Sequence, residues 1–172
     1  MDNTQPNDLS VHFSAARGDW ETPWKLIGAL DQEFHFTLDA AADAGNAVCT
    51  SWYGPGSSRE DALTDQPWEA DTIWCNPPYG KLVPAFVEKG KEAILKGTAK
   101  TVVFLLPART DTKWFHNLLT FGAEIRFIRG RVVFELDGDP ILDSKGHPVG
   151  APFPSLLAIL KQTHPQWSVL HA

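Results

Sequence analysis

Residues Val102, Val103, Phe104, Leu105 and Leu106 form an unbroken apolar run, entered through Thr101 and closed by Pro107. A strand with one wet face alternates apolar and polar residues. A run with no polar face predicts instead a strand in a sheet covered on both sides. Cover on both sides calls for helices, so the chain is predicted to be α/β, with a mostly parallel sheet.

The flanking sequence supplies those elements. Trp24, Ile27, Leu30 and Phe34 recur at three- and four-residue spacing, which predicts a helix with one buried face. Thr22 is its expected N-cap and Pro23 its first helical residue. Residues 35–39 read as a short strand ending in a carboxylate, and residues 48–53 as a second strand. Residues 72–75 read as an apolar strand that delivers Asn76-Pro77-Pro78-Tyr79-Gly80. A helix over 82–96 would bury Leu82, Val83, Phe86 and Ile94 and stop at Gly97. Asp111 is expected to cap a helix reaching residue 120, ended by Gly122. Residues 123–128, 131–136 and 153–160 then give an antiparallel ending. The only sizeable late loop, 137–152, is a candidate for reading a nucleotide sequence.

A length of 172 residues bounds the chain to one domain. Residues 1–18 lack apolar periodicity and read as a mobile arm, leaving 19–172 as the folded unit. Polar residues at the start lack a signal-peptide pattern, and no apolar run is long enough to span a bilayer. The expected location is therefore the cytoplasm. Two cysteines, Cys49 and Cys75, cannot build a disulfide framework. The six histidines are scattered and no CxxC or HExxH pair occurs, so no metal is expected.

The net charge of −6 is unevenly spread. Residues 1–80 carry 13 acidic and 3 basic groups, residues 81–131 carry 4 and 10, and residues 132–172 carry 4 and 2. A basic segment in an acidic chain points to a polyanion-binding face. Lys89, Lys91, Lys96 and Lys100 are read as a solvated helix face. Lys81, Arg109, Lys113, Arg129 and Arg131, near expected strand ends, are read as nucleic-acid contacts.

Ligands of such sheets bind beyond the carboxyl ends of the strands, where Asp39, Asn76 and Pro107 should converge. The Asn-Pro-Pro-Tyr turn there suits one kind of chemistry. An exocyclic amine on a purine is a poor nucleophile because its lone pair is delocalised into the ring. Two neighbouring acceptors, the Asn76 carboxamide oxygen and the Pro77 backbone carbonyl, can hold both N–H groups while the lone pair turns to an incoming methyl. Two consecutive prolines stiffen the turn, and Tyr79 offers an aromatic face to a base taken out of the duplex. Alignment of nitrogen, methyl and leaving group supplies most of the help, and proximity of this kind is worth roughly 7–11 kcal/mol.

The segments WETPWKLIGALDQEFHFTLDAAADAGNAVC (20–49), WCNPPYG (74–80), LLPARTDTKWFH (105–116) and GRVVF (130–134) together resemble the phage-type, Dam-like family of DNA N6-adenine methyltransferases over nearly the whole chain. That resemblance implies a Rossmann-like methyltransferase fold, S-adenosylmethionine as methyl donor and double-stranded DNA as substrate, in a phage or prophage product for which a monomer is compatible. It implies catalytic roles for Asn76, Pro77, Pro78 and Tyr79. It places Trp20, Thr22 and Pro23 at the methionine end of the donor, and Asp39, Ala40, Ala41 and Asn46 in the donor-binding turn. Alanines stand here where most methyltransferases have glycines. Asp61 is a candidate for the donor's adenine amine, its plain alternative being a solvated acid. Phe134 is expected to wall the target base, and Trp114 and Phe115 to belong to the core. RNA adenine, protein glutamine and a non-enzymatic nucleic-acid-binding module are the alternatives.

Overall fold

A computed structural model describes residues 21–162. The chain order is α1 (Trp24–Phe34), β1 (Leu38–Asp39), β2 (Ala70–Cys75), α2 (Val83–Lys96), β3 (Ala99–Pro107), α3 (Lys113–Phe121), β4 (Glu124–Phe127), β5 (Glu135–Leu136), β6 (Asp139–Pro140) and β7 (Ser155–Lys161). The central sheet has the order β1-β2-β3-β7-β4. Strands β1, β2 and β3 are parallel, and β7 runs antiparallel to both β3 and β4. Four of the five strands therefore point one way, and the last strand of the chain fills the slot between β3 and β4.

The apolar run is the middle of this sheet. Residues 102–106 are fully buried, with Val102, Phe104 and Leu106 on one face and Val103 and Leu105 on the other. The first face is covered by α2 and α3 through Val83, Phe86, Val87, Ile94, Trp114, Phe115 and Leu118. Trp114 and Phe115 are thus core residues, as expected. The second face is covered by Ile27 and Leu30 of α1 and by Val132, Phe134 and Ala151 of the late loops. Burying each such side chain contributes about 1.5–3 kcal/mol, which makes the three layers hold together. Gly90 lets α2 approach: a methyl group there would lie 2.5 Å from the Phe104 ring.

Several local expectations are corrected. Pro23, not Thr22, occupies the N-cap of α1, with no side-chain cap, and Trp24 is 63% exposed. Helix α2 begins after Leu82, which is exposed rather than buried, and ends at Gly97 as expected. Thr112, not Asp111, is the N-cap of α3. The expected strand over 35–39 shrinks to Leu38–Asp39, and that over 48–53 to a single bridge from Trp52 to Asp39. Residues 131–134 are irregular, and Glu135–Leu136 pairs with Asp139–Pro140 in a separate hairpin that is bridged to Glu21. In two of these cases a neighbour in space outweighs the local signal: Thr22 is taken by a tertiary hydrogen bond, and Val132 and Phe134 are used to cover the sheet. The expected arm over 1–18 lies outside the described residues.

Candidate active site

The carboxyl ends of β1, β2, β3 and β4 lie along one edge of the sheet, and the first turn after each carries a group singled out from the sequence. Asp39 ends β1 and is 3% exposed. Its two oxygens accept hydrogen bonds from Ala41 N (3.1 Å) and Val48 N (3.2 Å), so the carboxylate shapes the turn that follows it. Burial pushes its pKa from 3.8 up to about 6, against the two backbone N–H bonds that favour the charged form. Asp43 and Asn46 close the rest of the turn: Asn46 Oδ1 accepts from Asp43 N (2.9 Å), and Asp43 Oδ1 accepts from Gly45 N (2.7 Å).

Strand β2 carries Asn76 to the same place. Its side-chain nitrogen donates to the Thr22 hydroxyl at 3.3 Å, and Thr22 is buried. This bond helps to orient the carboxamide. Glu21 secures the approach to Thr22. Its backbone pairs with Glu135, and its carboxylate accepts from Asp137 N (3.1 Å) and Gly138 N (2.9 Å) at the hairpin tip. Tyr79 is half-buried, its ring edgewise to Phe153 (5.3 Å) and Phe134 (6.1 Å). Burial pushes its phenol well above the ordinary range, so it stays neutral. Phe134 is fully buried with its ring edgewise to Tyr79, so the exposed wall expected of it is not what the fold makes of it.

Two cavities meet here. A polar one of about 20 Å³ is lined by Glu21, Thr22, Asp39, Ala41, Asn46 and Asn76. A more apolar one of about 460 Å³ is lined by Ala40, Ala41, Asp43, Tyr53, Asp61 and Pro78, among others. Ala41 belongs to both, and the rigid Asn-Pro-Pro turn touches one through Asn76 and the other through Pro78. Pro77 between them is buried. The larger volume lies within the roughly 300–1,000 Å³ typical of small-ligand clefts. Asp61 keeps its Oδ1 on Leu63 N (2.8 Å) while lining that cavity. Pro23 starts α1 beside Thr22. Trp20 lies outside the described residues.

The basic segment divides in two. Lys89, Lys91, Lys96, Lys100 and Arg126 are held by Glu92, Glu88, Asp71, Glu33 and Glu124. Lys81, Arg109, Lys113, Arg129 and Arg131 are exposed, and none forms an ion pair among the described residues. They follow β2, β3 and β4, on the edge that carries the two cavities. Neither cysteine can serve as a nucleophile near neutral pH. Burial pushes the Cys49 thiol up to about 12 and raises the buried Cys75 as well. No group of three or more acidic, His or Cys side chains suited to a metal occurs among the described residues, and no described helix is long and apolar enough to cross a membrane.

The sequence did not point to Tyr53 and Glu21, which line the two cavities, to Phe153, which packs on Tyr79, or to Arg59, which binds the carbonyls of the loop behind the larger one. A lone polar or aromatic residue in a loop carries no periodic signal, and only Glu21, adjoining Thr22, could have been suspected.

The family described as DNA N-6-adenine-methyltransferase (Dam) matches residues 10–170. Among curated proteins, a DNA N-6-adenine-methyltransferase of Escherichia phage T1 is 32% identical over 127 residues, covering 73% of this chain and 50% of that protein. A protein of the same name from Haemophilus phage HP1 (strain HP1c1) is 32% identical over 111 residues, covering 63% of this chain and 61% of that protein. The chain thus spans between half and about three-fifths of the length of these relatives.

Proposed function

Because the chain belongs to the DNA N-6-adenine-methyltransferase (Dam) family, we propose that it transfers a methyl group from S-adenosylmethionine to N6 of an adenine flipped out of double-stranded DNA, on a Rossmann-like methyltransferase fold. The observation that carries this reading is the junction of the two cavities: one rigid turn lines both, and Ala41 joins them. The larger, more apolar cavity suits the donor's nucleoside, with Asp61 beside it. The small polar one, with Thr22 and Asn46 beside the start of α1, has room for about one water-sized polar group and would take the charged tip of the amino-acid end.

When bound, the donor supplies a methyl already activated by its sulfonium. The chain's own residues do the rest. The Asn76 carboxamide oxygen and the Pro77 carbonyl accept the two N–H bonds of the target amine and turn its lone pair towards the methyl carbon. Thr22 keeps the carboxamide in that orientation. As the N–C bond formed and the methyl–sulfur bond broke, with a neutral thioether leaving, positive charge would pass to N6, and these two acceptors would lie where it grows. The proton then leaves N6 to solvent. Tyr79, braced by Phe134 and Phe153, gives the base a face to stack on. Lys81, Arg109, Lys113, Arg129 and Arg131 hold phosphates on the same edge.

The test offers duplex DNA, RNA and bulk protein with labelled donor, followed by nucleoside digestion. The expected result is N6-methyladenine in DNA, lowered by about 10²–10³ in Asn76→Ala. Label confined to RNA or to protein glutamine would move the acceptor. Near-unchanged transfer by Asn76→Ala would overturn the mechanism.

A further inference from the structure

We infer that Arg59 is a positioning residue for the nucleoside end of the methyl donor, acting by holding one wall of the larger cavity in shape. The inference rests on the proposed function of that cavity. Residues Glu60, Asp61, Ala62 and Leu63 form the wall, and the segment from 59 to 67 is irregular, so no strand ladder or helix orders it. Its backbone carbonyls converge on Arg59 instead. Arg59 Nη1 donates to Pro67 O (2.7 Å), Nη2 to Gln66 O and to Ala62 O (3.4 Å), and Nε to Asp61 O (3.4 Å). Lys89 of α2 reinforces the same loop through Thr64 O and Gln66 O, both at 2.9 Å.

The same arginine fixes the opposite wall. Its guanidinium lies over the Tyr53 ring at 4.3 Å, and Tyr53 lines the cavity. Its backbone carbonyl accepts from Gly54 N (2.8 Å). Gly54 (φ 138°) is pressed against Ala42, where an added Cβ would lie 2.0 Å from the carbonyl oxygen. One residue thus joins Ala42 and Gly54, Tyr53, and the Glu60–Leu63 wall. Among the described residues no carboxylate pairs with Arg59; its donors go to carbonyls that would otherwise need water. A lysine has no planar fork and cannot meet four carbonyls from one position. An ordered wall lowers the cost of binding a rigid nucleoside, whereas the reacting amine is held by residues of a different strand.

The experiment compares wild type, Arg59→Lys and Lys89→Met, with Lys100→Ala as control, by calorimetric binding of S-adenosylmethionine, by steady-state methylation of duplex DNA and by thermal melting. Arg59→Lys should raise Kd and KM for the donor about tenfold and leave kcat at saturating donor and the Kd for DNA within about twofold. Lys89→Met should change in the same direction by less. Donor affinity unchanged in Arg59→Lys overturns the inference. So does a fall in kcat and DNA affinity that parallels a lowered melting temperature, because that marks a purely structural role. A wild-type protein that binds no donor takes down the functional reading and this inference together; a wild type that binds and methylates while Arg59→Lys matches it removes this inference alone.

Discussion

The side-chain nitrogen of Asn76 donates to the hydroxyl of Thr22, 54 residues earlier in the chain, at 3.3 Å. Through it the residue next to α1 decides which way the carboxamide on β2 faces.

Thr22→Val removes that acceptor at similar volume. We expect kcat to fall about tenfold, the equivalent of about 1.4 kcal/mol, with Thr22→Ser restoring most of it. Steady-state kinetics alongside thermal melting decides; equal kcat in Val and wild type would detach Thr22 from the chemistry.

Arg109→Ala with Arg131→Ala should weaken DNA binding and flatten its dependence on salt by about 0.9 in the log–log slope for each phosphate no longer neutralised. Lys100→Ala, whose side chain is paired with Asp71 at the opposite edge of the sheet, should change neither. Fluorescence anisotropy across a salt series reads both; identical slopes in all variants would refute the interface.

Asp39 should make stability fall as pH rises. Its folded pKa of about 6 exceeds its ordinary 3.8, so between these values the folded state keeps a proton the unfolded chain has released. The loss runs from about pH 4 to about pH 6, then levels off at about 3 kcal/mol. Four surface acids, two exposed and two half-buried, act with the opposite sign, losing stability as pH falls: Glu33 and Glu124 held down by Arg126, Glu92 by Lys96, and Asp143 by the His147 backbone. The Asp39 component is therefore read as wild type minus Asp39→Asn in urea unfolding at pH 4 and pH 7. A difference that does not change with pH would show the carboxylate to be unperturbed.

Gly90→Ala adds a methyl 2.5 Å from the fully buried Phe104 ring. Helix propensity favours the change by about 1 kcal/mol, but overpacking costs about 1–3 kcal/mol. Net destabilisation of up to about 2 kcal/mol is expected in chemical denaturation, and a more stable variant would contradict the packing of α2 on β3.

What could be read without coordinates was what depends on neighbours in sequence. The run to Leu106 declared a strand covered on both faces, Gly97 and Gly122 marked two helix ends, and Asn76-Pro77-Pro78-Tyr79 announced a rigid turn at a strand end. Lys89, Lys91 and Lys96 of α2 and Lys100 of β3 are held in ion pairs, whereas Arg109, Arg129 and Arg131 form none among the described residues. Capping at Thr22 was not legible because its hydroxyl is engaged by Asn76, 54 residues later in the chain.

The sequence alone determined the layer architecture and the stiffness of the turn at Asn76-Pro77-Pro78-Tyr79, since hydrophobic period and proline geometry are local properties. Only the tertiary structure decided that β7 enters between β3 and β4, that Phe134 stands behind Tyr79 and that Arg59 gathers a loop around itself. Those outcomes come from long-range packing and from satisfying buried polar groups, which no window of sequence encodes.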